Sequence, residues 1–291
     1  MTLAELVVLA LKVSIAVLVF SIGLETPAAD LAYFVRRPGR LARSVLAMSV
    51  VMPIIAVLIV KGLDLRRPVV ITLIALAMAP IPPILPRRLL KAGADHAYTL
   101  CLLFTAALLS IVLIPFESTI LDAIFPAHIA VPPGPVAIIV LTTILLPILA
   151  GVIVRQLAPQ MAARLASPLG IAANVLLMIG VVLVLVKIGP MAVAQLGQGT
   201  LLAIAAFVIV GLAVGHLLGP PTPDGRTVLA LATASRHPGL AIAIARLNFP
   251  DEKTVPATVL LYLLVGIVLT TPYLIWRRRV IARQNAAPRA A

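Results

Sequence analysis

Acidic side chains are scarce in this chain, with ten Asp and Glu among 291 residues, nearly all at the ends of apolar runs. The membrane-embedded carboxylate pairs that acid-base catalysis or strong cation binding use are therefore not expected. Cysteine occurs once, as Cys101 inside an apolar run, which excludes an internal disulfide and leaves no basis for a thiolate metal cluster. No grouping of His, Cys, Asp and Glu has zinc spacing, no glycine-rich loop is built to cradle phosphate, and no Gly-x-Ser-x-Gly turn presents a nucleophile. Neither an enzyme nor a bound cofactor is expected. Aromatics make up 4% of the chain and do not interleave with a basic stripe, so the net charge of +13 is not the footprint of a nucleic-acid partner. Polar surface is also short: 62% of residues are hydrophobic and 11% charged, too few to coat a water-soluble globule of this size.

What remains is a succession of apolar runs, each close to the roughly 20 residues that cross a hydrocarbon core of about 30 Å. The expected fold is an all-α polytopic membrane protein with nine transmembrane helices: Leu3 to Leu24, Leu41 to Val60, Pro68 to Leu90, Ala97 to Phe116, Pro135 to Arg155, Pro168 to Val186, Thr200 to Leu218, Thr227 to Leu247 and Thr254 to Trp276. The first run carries Glu5, with no basic start or small-residue cleavage site, and reads as a retained helix. Turn signals such as Arg37-Pro38-Gly39 and Gly219-Pro220-Pro221 separate the runs. Lys and Arg are retained on the cytoplasmic side of an inner or plasma membrane. An outside N-terminus and a cytoplasmic C-terminus put fifteen of them there, including Arg36, Arg37, Arg40, Arg43 and the Arg277 to Arg279 cluster, against six outside.

Two runs are interrupted. The third contains Pro80-Ile-Pro-Pro-Ile-Leu-Pro86, whose four prolines lack N-H groups and clash with preceding carbonyls, so it is expected to unwind. The eighth contains Ser235-Arg-His-Pro-Gly239, where Pro238 and Gly239 follow two ionisable groups. Breaks five spans apart run in opposite directions through the bilayer, the signature of an inverted repeat. Residues 1–117 form the expected first repeat of four helices and residues 134–277 the second, of five, leaving residues 278–291 as a cytoplasmic basic tail. The Pro115 and Pro272 stretches echo one another as the closing segments of the fourth and ninth spans.

Irregular backbone at membrane depth persists only around protein or a water-filled cavity, because bare N-H and C=O groups cost several kcal/mol each in lipid. Half-helix N-termini in such a cavity favour an anion, and unwound carbonyls favour a cation. The candidate pathway residues are Arg236, His237, Ser235, Thr233, Pro82, Pro83, Thr105 and Lys12, with Pro80, Pro86, Pro238 and Gly239 as structural residues of the breaks. Arg236 either lines the pathway or holds the break by bonding backbone carbonyls. His237 is either a proton carrier or a hydrogen-bonded packing residue. For Lys12, midway along the first span, a pathway role competes with a helix-helix contact, and Glu117 or Asn174 could partner it. Thr72, Thr105, Ser110 and Thr233 are hydroxyls of the kind that often bond their own backbone.

The stretch Ser21-Ile-Gly-Leu-Glu-Thr-Pro-Ala-Ala-Asp30, and Thr233-Ala-Ser-Arg-His-Pro-Gly-Leu-Ala241 more closely, resemble the bile acid:sodium symporter superfamily, in particular a bacterial branch of sodium-dependent transporters. The resemblance runs essentially end to end. It implies two inverted repeats divided into panel and core domains, with the third and eighth helices crossing in the core, and transport by alternating access. It also implies the nine-helix form, with the fifth span unpaired. The chain departs from the family where sodium-coupled members place a glutamate one turn before a Gln-Asn pair, positions held here by Ala232, Arg236 and His237. Pro82, Pro83, Leu85 and Pro86 stand where the family has small residues with Ser and Asn. The side-chain ligands for sodium are thus replaced. The combined expectation is a secondary transporter of a small organic anion whose coupling ion is sodium or a proton. The alternative is a sodium-coupled organic-anion symporter that uses unwound carbonyls.

Overall fold

A computed structural model of the chain describes residues 3–125 and 131–286, and every regular element among them is helical. Apart from the single turn Ala28–Leu31, these are in chain order α1 (Leu3–Glu25), α2 (Pro38–Gly62), α3a (Arg67–Met78), α3b (Leu85–Lys91), α4 (His96–Ile124), α5 (Pro133–Leu157), α6 (Pro159–Ala194), α7 (Thr200–Leu218), α8a (Pro223–Ala234), α8b (Pro238–Asn248) and α9 (Val255–Ala286). Eight helices, counting the two parts of α8 together, are long and apolar enough to cross a membrane. The remaining expected span is the interrupted third, too short in either half to cross alone. Large apolar side chains stand outward along the bundle, Leu217 at 78% exposure and Val112 at 69%, as a lipid-facing surface requires.

Single prolines did less to the helices than expected. Pro115 does not close the fourth span: α4 continues through it to Ile124. Likewise α9 passes Pro272 and runs to Ala286, so residues 278–286 of the expected tail are helix, and residues 287–291 lie outside the described residues. Helix α6 begins at Pro159, with Pro168 inside it. One proline removes one hydrogen bond, which a long membrane helix tolerates. The cluster between Met78 and Leu85 removes several in succession, and there the helix ends.

Two prolines leave a subtler mark. The π-helical segments Leu46–Val51 in α2 and Leu141–Leu145 in α5 each end two residues before a proline, Pro53 and Pro147. The missing proline N-H frees the carbonyl four residues back, Ser49 or Thr143, and a locally widened turn is one way to accommodate it.

Helix α1 packs chiefly on α5 and α6, forming a three-helix group. Gly23 and Gly151 allow α1 and α5 to meet backbone to backbone, since a Cβ at either position would overlap the other helix. The other spans share the main apolar core. Within it Gly211 and Gly215 of α7 lie against Ala234 and Ala230 of α8a, a small-residue seam that fixes the height at which α8 breaks.

Candidate functional site

Helix α3a ends at Met78, and α3b starts at Leu85 with Pro86 in its first turn, where a proline's missing N-H costs nothing. Helix α8a ends at Ala234, and α8b starts at Pro238 in the same way. The two breaks touch: the His237 backbone N-H donates to the Pro80 carbonyl at 2.8 Å. Three further groups complete the junction. The Tyr262 hydroxyl of α9 accepts from the Arg236 N-H at 2.8 Å and donates to the Ala234 carbonyl at 2.8 Å, so one side chain satisfies both a donor and an acceptor of the α8 break. The His237 Nδ1 accepts from the Leu240 N-H at 3.3 Å and caps α8b, which requires that nitrogen to be unprotonated.

Arg236 is 2% exposed. Its Nη1 donates to the Ala79 carbonyl at 3.2 Å and its Nη2 to the Met48 carbonyl at 3.0 Å. The first is the carbonyl that follows α3a; the second belongs to the π segment of α2. The guanidinium therefore ties three elements together through backbone, while its Nε finds no partner. A hollow of about 30 Å³ adjoins it, bounded by Ser44, Met48 and Ser49 of α2, Met78 to Pro80 of the break, and Leu102, Ala106, Ser110 and Leu113 of α4. That volume holds roughly two waters and no organic solute. Met78 also lines a second hollow of about 130 Å³ between α3a and α8b, which is apolar apart from Arg67.

One turn beyond Leu113 on the same helix face lies Glu117, 6% exposed. Its carboxyl interacts with the Ser49 hydroxyl and with the Arg236 charge, and its Oε2 has no hydrogen-bond partner. The expectation that carboxylates sit at span ends fails here, because α4 extends past Pro115 and carries Glu117 inside the bundle.

The other expected residues divide. Ser235 and Pro238 are half-buried at the second break, Gly239 is exposed there, and Pro80, Pro82 and Pro83 are buried in the first, where the Pro82 carbonyl accepts the Leu85 N-H at 3.0 Å. Thr233, Thr72 and Ser110 bond carbonyls of their own helices, as the plainer reading had it. Thr105 is half-buried, with the Cys101 Sγ at 3.6 Å, and does not line the small hollow. Lys12 and Asn174 are exposed on α1 and α6, so Lys12 is not gathered with Arg236, and Glu117 faces Arg236 instead. Ala232 is fully buried. Tyr262 and the α2 π segment were not singled out from sequence. The signal for the first was a lone tyrosine in an apolar run, whose hydroxyl needs a partner when buried. The signal for the second was Pro53 within a span.

Among the described residues no cluster of three His, Cys, Asp or Glu side chains could hold a metal. The profile of the Sodium Bile acid symporter family matches residues 12–195. A protein of Bacillus subtilis (strain 168) named as an uncharacterized sodium-dependent transporter, YocS, is 24% identical over 284 residues, which cover 94% of this chain and 85% of that protein.

Proposed function

This chain belongs to the sodium bile acid symporter family and is a multi-pass membrane transporter of a small molecule; on that footing we propose that its substrate is a small organic anion, moved by alternating access without side-chain ligation of sodium. The observation that carries the reading is Arg236, a buried cation at the contact of two broken helices, with its Nε unpartnered beside an internal hollow. A buried guanidinium favours an anion, and the N-terminus of α8b adds a partial positive charge at the same place. Four carbonyls at the junction already accept hydrogen bonds: Ala79 and Met48 from Arg236, Pro80 from His237, and Ala234 from Tyr262.

In this reading residues 1–117 and 134–277 are inverted repeats, α1 to α4 matching α6 to α9 and α5 left unpaired in the second, which supports a panel of α1, α5 and α6 rocking against the rest. The N-terminus lies outside and the C-terminus in the cytoplasm, an orientation supported by the excess of arginine at one end of the bundle. The sodium-coupled alternative draws on the family's description and on the relative's name. Uptake of labelled small carboxylates into proteoliposomes, with all sodium replaced by potassium, separates the two. Uptake persists without sodium and is abolished by Arg236→Gln on the proposed reading; strict sodium dependence overturns it.

A further inference from the structure

The proposed anion site leaves one charged group unexplained. Glu117 is more than nine-tenths buried, it interacts with the Arg236 charge without forming a direct ion pair, and one of its oxygens is an orphan acceptor. The orphan Nε of Arg236 is a donor facing the same problem from the other side. Among the described residues, the other groups around Glu117 are uncharged or already engaged, Asp122 further along α4 included. Ser49 contributes a hydroxyl from α2, and the Pro133–Leu145 stretch of α5, which packs on α4, carries no titratable side chain. At one end of α3, Arg67 is paired with Glu252, and Lys61 stacks over Phe125. At the other end, Asp30 is paired with His96. Tyr262 at the junction uses its hydroxyl on the Arg236 N-H and the Ala234 carbonyl, and His237 beside it uses its Nδ1 on the Leu240 N-H.

Charge in a low-dielectric interior must sum close to zero. Arg236 with ionised Glu117 does so. An incoming monocarboxylate at Arg236 adds one negative charge, and the sum is restored when Glu117 binds a proton. That proton also turns Oε2 from an orphan acceptor into an O-H donor that can face the anion. Resting on the anion reading above, we infer that Glu117 is a proton-binding site: it serves as the counter-ion of Arg236 when the site is empty and takes up a proton when an anion binds, so anion and proton cross together. The balance is simple. One anion and one proton enter, no bond other than the O-H forms, and the site's net charge is unchanged. His237 does not take this role, because its Nδ1 is committed to the α8b cap.

The test uses the purified full chain in weakly buffered, sodium-free solution with potassium formate, acetate, glycolate and pyruvate as probes. Calorimetry in two buffers of different ionisation enthalpy yields both anion binding and protons taken up. Wild-type protein is expected to take up about one proton per anion bound in alkaline solution, where Glu117 of the empty site is ionised, falling to near zero in Glu117→Gln and returning in Glu117→Asp. Infrared difference spectra of the wild type alone should show a protonated-carboxyl stretch appearing with the probe, which keeps the test open should the glutamine variant fold poorly. Binding without proton uptake overturns the proton site and leaves the anion reading standing. Undiminished uptake in Glu117→Gln moves the proton elsewhere and also overturns it. No binding of any of the four probes removes the anion reading, and this inference with it.

Discussion

Arg236 and Tyr262 divide the work of stabilising a helix break that lipid would not tolerate. A broken helix leaves donors and acceptors that water cannot reach, and each unsatisfied buried group costs roughly 1 to 3 kcal/mol. The Tyr262 hydroxyl satisfies one donor and one acceptor at once, and the guanidinium fork reaches carbonyls on two other elements. A lysine, with a single point charge, lacks that fork. Tyr262→Phe removes only an oxygen yet orphans both backbone groups. It is expected to lower stability by roughly 2 to 4 kcal/mol, read as a shift in thermal or denaturant unfolding, with little change in fold. A loss within the ordinary half-kilocalorie range of surface changes would show that the break does not depend on it.

At the scale of elements, the prolines have distinct uses. Those between Met78 and Leu85 end a helix, Pro86 and Pro238 begin one, and Pro53 follows the π segment of α2 whose Met48 carbonyl accepts from Arg236. Pro53→Ala restores a helical donor and is expected to relax the Leu46–Val51 segment toward regular α-helix. Since proline is about 3 kcal/mol worse than alanine inside a helix, the variant should be as stable as the parent or more so, while anion flux falls because one guanidinium partner is withdrawn. Unfolding temperature and proteoliposome flux measured together check this, and unchanged flux with raised stability would assign Pro53 to folding alone. The breaks themselves were legible in the sequence because clustered prolines and an arginine in an apolar run are unambiguous. The continuation of α4 past Pro115 was not, because one proline in a membrane helix gives the same local signal whether the helix bends or stops. Glu117 was therefore assigned to a span end.

For the whole molecule, α3 is fastened to the three-helix group at both of its ends. Arg66 donates to the Gln198 Oε1 at 2.7 Å and to the Ala194 carbonyl at 3.1 Å, at the end of α6. Arg87 donates to the Ser21 Oγ of α1 at 2.7 Å and lies over Gly170 of α6, where any Cβ would collide with it. Both fastenings are made in this structure. Alternating access requires one fastening to release at a time. Gly170→Leu is expected to expel Arg87 and open its end of the seam. In a Cys101→Ala background, Leu18→Cys, buried where Ile84 meets α1 and α6, should then react several-fold faster with a membrane-impermeant thiol reagent, and from the cytoplasmic side. Faster reaction from the outside would reverse the proposed orientation, and an unchanged rate would show that Arg87 is no fastening.

Composition by itself determined that lipid is the solvent, that the chain is helical, and where the bundle must be interrupted, because each follows from local chemistry: scarce polar surface, the length of apolar runs, and prolines without N-H groups. Tertiary structure alone decided what the buried charges do. Lys12, on the exposed side of α1, and Glu117, inside the bundle, look alike in sequence, each a lone ionisable residue in or beside an apolar run. Which of them faces Arg236 depends on helix rotation and on contacts between elements more than a hundred residues apart. No local pattern encodes that.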